Sequence, residues 1–194
     1  MLNAFAVSTS VVALGEMGDK TQLLALLLAA RYRAPRPIIL GILVATLLNH
    51  ALAAAFGTWL TQLIDPTVLR WGLGASFIAV ALWMLVPDQA GDVGPGHGSR
   101  RLGVFGITTL AFFLAEMGDK TQIATVMLAA RYDALLTVTA GTTLGMLIAN
   151  VPAVLLGEKA LERVPITWVH RIAAAVFATI GVAVLAGIGS QSYS

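Results

Sequence analysis

The sequence predicts an all-α integral membrane protein: six transmembrane helices arranged as two inverted three-helix repeats. Three observations predict it. Of 194 residues, 58% are hydrophobic and 11% are charged, against about 25% charged in a soluble domain. Six apolar segments, at about 3–30, 38–62, 68–86, 103–130, 134–158 and 167–188, each reach the roughly 20 residues a bilayer span requires. Finally, the heptapeptide Glu16-Met-Gly-Asp-Lys-Thr-Gln22 recurs unchanged as Glu116-Met-Gly-Asp-Lys-Thr-Gln122, 100 residues later.

The first and fourth segments are too long for simple upright spans. A 28-residue helix is about 42 Å long, against a hydrocarbon core of about 30 Å. Tilt, projection into water, or a break at the motif would each absorb the excess. Gly15 and Gly18 bracket the first motif, and Gly118 repeats Gly18. Gly18 and Gly118 read either as sites of close helix packing or as a break that exposes carbonyls. The repeat runs past the motif: 12 of 17 positions agree between 16–32 and 116–132, and Gly41, Gly57 and Phe77 match Gly141, Gly157 and Phe177. Residues 1–86 and 103–194 are therefore read as the two units. An odd number of spans in each unit forces the second to enter the membrane from the opposite side.

Between the units, 87–102 is rich in Gly and Pro with scattered charge, the composition of a flexible linker. It reads as a plain tether rather than a sensing element built on Asp88, Asp92 and His97. Arg31, Arg33, Arg36, Arg100, Arg101, Lys159, Arg163 and Arg171 fall on one side of the membrane, and only Arg70 and Arg131 on the other. The arginine-rich side is expected to be cytoplasmic. The linker is then cytoplasmic and both termini lie outside. The start of the chain has neither a basic stretch nor a small-residue cleavage site, so the first apolar segment is expected to remain in the mature protein. Trp59, Trp71, Trp83 and Trp168 fall near span ends and read as interfacial anchors.

Net charge is +2 and no Lys/Arg cluster suited to nucleic acid is present. The partners expected are the lipid bilayer and small ions. The absence of cysteine excludes disulfides, thiolate metal sites and cysteine catalysis.

Ionisable groups inside a membrane are costly and mark function by default. On one continuous helix, Glu16 and Asp19 would share a face, as would Glu116 and Asp119. The four acids can then converge from both repeats, with Thr21, Thr121, Gln22 and Gln122 beside them. Such an oxygen-rich site suits hard divalent cations: Ca²⁺, Mn²⁺ or Mg²⁺. Met17 and Met117 would add softer thioether ligands but are read as packing residues. Four carboxylates with Lys20 and Lys120 give a charge of −2 if all are ionised. One divalent cation or two protons would neutralise it, and this is an electrostatic basis for exchange. Lys20 and Lys120 are candidates for intrahelical pairing with Glu16 and Glu116, or for gating and proton coupling. Asn49 and Asn150, near repeat mates, are expected to make interhelical hydrogen bonds or to line the pathway. His50 is a weaker candidate for proton relay.

The doubled Glu-x-Gly-Asp-Lys-Thr motif in six spans resembles uncharacterised protein family 0016. That family includes bacterial manganese exporters and the eukaryotic Golgi proteins related to transmembrane protein 165. The resemblance covers essentially the whole chain. It implies a secondary transporter that exchanges Mn²⁺ or Ca²⁺ for protons, with Glu16, Asp19, Glu116 and Asp119 as cation ligands and no resident cofactor. It also implies a bacterial inner membrane. A passive divalent channel is the less favoured alternative. An amino-acid exporter and an intramembrane hydrolase are weaker still, since identical motif halves do not readily supply the unlike environments an acid and a base need. The sequence leaves open Mn²⁺ against Ca²⁺, H⁺ against Na⁺ as counter-ion, the stoichiometry and the oligomeric state.

Overall fold

Both long spans break at the motif. The computed structural model describes residues 1–85, 103–156 and 166–187. Among these the fold is wholly helical: α1 (Leu2–Glu16), α2 (Lys20–Tyr32), α3 (Pro35–Leu63), α4 (Pro66–Met84), α5 (Gly103–Glu116), α6 (Lys120–Tyr132), α7 (Leu135–Leu156) and α8 (Ile166–Leu185). The expected linker 87–102, with Asp88, Asp92, His97, Arg100 and Arg101, lies outside the described residues, as do Lys159 and Arg163.

The break has a local cause. Met17 ends α1 in an extended conformation, with φ −64° and ψ 116°. Gly18 and Gly118 then take φ of 84° and 75°, a region other residues enter only at a cost. Asp19 and Asp119 follow as extended N-caps of α2 and α6. α3, α4, α7 and Thr167–Leu185 of α8 are each long and apolar enough to cross a membrane alone, whereas α1 and α5 are shorter apolar helices. At the far ends of α2 and α6 the chain turns through the left-handed residues Arg33 and Asp133. Pro35 and Pro66 start α3 and α4, where the missing N–H costs nothing. Asp65 caps α4 by accepting from the Thr67 amide at 2.8 Å.

Packing is reciprocal between the halves. α1 lies against α7 as α5 lies against α3, α2 contacts α7 as α6 contacts α3, and α4 pairs with α8. Gly41 and Gly141 allow close approaches at repeat-related positions. A Cβ on Gly41 would sit 2.7 Å from Cβ of Thr108 and 3.0 Å from the carbonyl of Phe105. A Cβ on Gly141 would meet the repeat mates of those groups, at 3.0 Å from Cβ of Ser8 and 2.8 Å from the carbonyl of Phe5. Small residues that let backbones touch are the usual means of membrane helix packing. Phe77 and Phe177, themselves repeat mates, stack between α4 and α8 with ring centroids 6.0 Å apart.

The α4–α8 pair is not placed evenly. α8 packs on α1 and α4 on α6, and neither makes a comparable contact with α2 or α5 among the described residues. A cavity of about 1180 Å³ opens at one end, lined by Met1, Pro66, Arg70, Arg131, Tyr132 and Val184 among others. The chain start, the α3–α4 junction, the end of α6 and the end of α8 therefore share that end. Trp59, Trp71, Trp83 and Trp168 are all exposed, as anchors should be, and the Trp83 ring also faces Lys120.

Candidate metal centre

Glu16 and Glu116 are the last residues of α1 and α5, and both are fully buried. Each is fixed by a hydroxyl beyond the break. Thr21 Oγ1 donates to Glu16 Oε2 at 2.7 Å, and Thr121 Oγ1 to Glu116 Oε2 at 3.1 Å. The break itself is tied by backbone. The amides of Asp19 and Asp119 donate to the carbonyls of Glu16 and Glu116 at 3.1 and 3.2 Å. Gln22 and Gln122 complete the clamp, their Oε1 atoms accepting from the Gly18 and Gly118 amides at 2.9 and 2.7 Å. This resembles a capping box, in which a side chain in the first turn reaches back to an amide the helix leaves unpaired.

One carboxylate oxygen each from Glu16, Glu116 and Asp119 lies within 4.8 Å of the others. Oε1 of Glu16 and Oε1 of Glu116 are buried and accept no hydrogen bond among the described residues. Lys20 Nζ lies 3.5 Å from Asp119 Oδ1, with 27% of the lysine side chain exposed. Three carboxylates and one ammonium leave −2, which one divalent cation or two protons would cancel. The acids come from both motifs, and α6 turns its N-terminus, the positive end of its dipole, toward them.

Several expectations require correction. The Glu–Asp pair of each motif does not share a helical face, because the turn at Gly18 or Gly118 separates the two residues. Lys20 does not pair with Glu16 along a helix for the same reason; its partner is Asp119 of the other motif. Asp19 is buried but lies outside the three-acid group. Lys120 is buried, with Nζ 5.7 Å from the Trp83 ring centroid. Met117 is 57% exposed rather than packed, while Met17 is half-buried, and both lie in the turn rather than on a helix face.

Gln22 and Gln122 hold the break and bind the opposite half. Gln22 Nε2 donates to the carbonyl of Ala149 at 2.8 Å, and Gln122 Nε2 to Asn49 Oδ1 at 3.3 Å. Positions 49 and 149 are repeat mates, so an asparagine side chain serves where the other half uses a carbonyl. Asn49 also makes an interhelical bond to the carbonyl of Phe113 at 3.0 Å. Asn150 does not; its Nδ2 donates to the carbonyl of Met146 at 3.0 Å, within its own helix. Both ring nitrogens of His50 are buried without a hydrogen-bond partner among the described residues. Sequence reasoning missed His170, whose Nε2 lies 2.9 Å from the carbonyl of Met17 in the break. Its repeat mate is Arg70.

The chain matches the family described as "Divalent cation/proton antiporter GDT1" over residues 4–92 and again over 104–191. It is 48% identical over 184 residues to a Vibrio cholerae protein named "Putative manganese exporter", covering 94% of this chain and 90% of that one. It is 31% identical over 185 residues to a GDT1-like protein of Synechocystis, covering 84% of this chain and 87% of the relative. A rice GDT1-like protein 3 is 27% identical over the whole of this chain and 74% of its own length. No solved structure matches. The chain belongs to the GDT1 family of multi-pass membrane divalent cation/proton antiporters.

Proposed function

We propose that this protein exports Mn²⁺ in exchange for protons through one site built by both motifs. The observation that carries this reading is the convergence of Glu16, Glu116 and Asp119 within 4.8 Å, with Lys20 against Asp119. The net −2 of that group makes one Mn²⁺ and two protons alternative occupants of the same oxygens. Asp19, Thr21 and Thr121 stand next to these acids as further oxygen donors, while Gln22, Gln122 and Asn49 hold the break in shape. Mn²⁺ is favoured over Ca²⁺ by the name of the Vibrio relative. The all-oxygen donor set keeps a Ca²⁺/H⁺ exchanger as the second reading.

The proposed architecture is six spans in two inverted units, 1–86 and 103–194, with 87–102 as a cytoplasmic linker in a bacterial inner membrane. α1–α2 and α5–α6 each count as one broken span. The reciprocal helix pairing supports this, as does the cavity end shared by Met1, Pro66 and Tyr132. Contacts between α4 and α8 run with opposed numbering, Gly74 meeting Gly181 while Phe77 meets Phe177. α1 and α6 are the half-helices at the cavity end, and no motif residue lines that cavity. The α4–α8 pair, packed on α1 and α6, therefore seals the site from that end. Transport would follow from moving the pair onto α2 and α5, the rocking that inverted repeats permit.

The test is cation uptake into proteoliposomes holding a pH-sensitive dye, with Mn²⁺, Ca²⁺ and Mg²⁺ offered in turn. Mn²⁺-driven proton movement, absent in Asp119→Asn, is expected. Cation flux without proton movement, with Na⁺ also tested as counter-ion, would establish a channel instead.

A further inference from the structure

The helix break leaves the last carbonyls of α1 without intrahelical partners, at the negative end of its dipole. His170 meets one of them, with Nε2 at 2.9 Å from the carbonyl of Met17. A carbonyl only accepts, so Nε2 carries the proton. His170 is the fifth residue of α8, and the fifth residue of α4 is Arg70. α5 ends in an identical break at Met117. Arg70 is nevertheless not bonded to it. The Arg70 side chain lines the end cavity and lies over the Trp71 ring at 5.7 Å, with its Nε buried and without a hydrogen-bond partner among the described residues. The difference follows the helix packing: α8 lies along α1, while α4 makes no comparable contact with α5 among the described residues.

We infer that His170 and Arg70 are paired positioning residues, each holding one end state of the transport cycle by donating to the carbonyl at a motif break. His170 on Met17 holds the state seen here. Arg70 on Met117 holds the opposite one, reached when the α4–α8 pair moves onto α5 and α2. The inference rests on the alternating-access reading above and adds the contacts that define its two ends. Each donor is released as the other engages, so neither half is locked.

The chain has no cysteine, so engineered pairs report directly. One variant carries Met17→Cys with His170→Cys, the other Met117→Cys with Arg70→Cys, each in proteoliposomes. Both pairs are expected to be bridged by a short bifunctional methanethiosulfonate, each cross-link arresting exchange and reduction restoring it. A 70–117 pair that transports before treatment yet never cross-links, while 17–170 does, would overturn the inference. A second variant does not depend on the 70–117 pair folding. Arg70→Ala added to the 17–170 pair should raise its cross-linking rate about tenfold, the shift expected for loss of one charge-assisted hydrogen bond, and Arg70→Lys should reverse it. An unchanged rate would overturn the inference as well. Absence of proton coupling in the parent protein would instead defeat the exchange reading, leaving the cross-linking result to judge the two contacts.

Discussion

Lys20 and Lys120 hold the same place in identical heptapeptides, yet Lys20 reaches across to Asp119 at 3.5 Å while Lys120 is buried over Trp83. The same contrast runs through the rest of the two motifs. The carbonyl of Met17 accepts from His170, whereas Met117 is exposed. Gln22 donates to a backbone carbonyl and Gln122 to a side chain. The acid pair Glu16 and Glu116 is treated alike, buried at two helix ends and each bonded to its threonine. What is common to both copies is therefore the break and its acids. What differs is set by the α4–α8 pair, which leans on α1 and α6. An identical sequence in two environments is what a protein with two exchangeable end states requires.

The largest effect should come from the element both copies share. Glu16→Gln and Glu116→Gln should each lower exchange by more than about a hundredfold, since loss of an outer-shell partner alone costs 10–100-fold at metal sites. Flux assays on folded protein check this, and near-normal transport in either variant would break the equivalence of the two glutamates.

The lysines sharpen the contrast. Lys20→Met removes a positive charge 3.5 Å from Asp119. The site then holds protons more tightly, so the pH midpoint of exchange should move up. An unmoved midpoint in the pH–rate profile would contradict a role for Lys20 in setting the charge of the site.

Gly18→Ala and Gly118→Ala place a side chain at positive φ and should each destabilise the fold by about 1–2 kcal/mol. At Gly118 the penalty is conformational, because an added Cβ there meets nothing within 4 Å. Thermal unfolding in detergent reads this. The smallest effect belongs to Asn49→Ala, which removes the bonds to Gln122 and to the Phe113 carbonyl and should cost about 1 kcal/mol, at about 0.6 kcal/mol for an average membrane side-chain hydrogen bond. A cost several times larger would give Asn49 a share in the cation site itself.

Much of this was legible in the residues. The doubled motif announced that acids of both repeats would meet, as Glu16, Glu116 and Asp119 do, and the excess length of the first and fourth segments announced an irregularity that Gly18 and Gly118 resolve. The pairing of the acids was not legible, because helical spacing was the wrong ruler across a break. Once the chain turns at Gly18, position 20 no longer stacks on position 16, and Lys20 finds its partner in the other repeat. His170 was hidden for a different reason. It lies far from either motif in sequence, and only the packing of α8 on α1 brings it to Met17. The unequal lysines could not be read at all, since identical heptapeptides carry no record of which half the α4–α8 pair favours.

The central claim is that both motifs build one site. Counting bound Mn²⁺ per chain at equilibrium tests it most directly. The account predicts one ion per chain, lost entirely in Glu16→Gln and lost entirely in Glu116→Gln. Two ions in the parent protein, with one retained in each variant, would mean two independent sites and would contradict it.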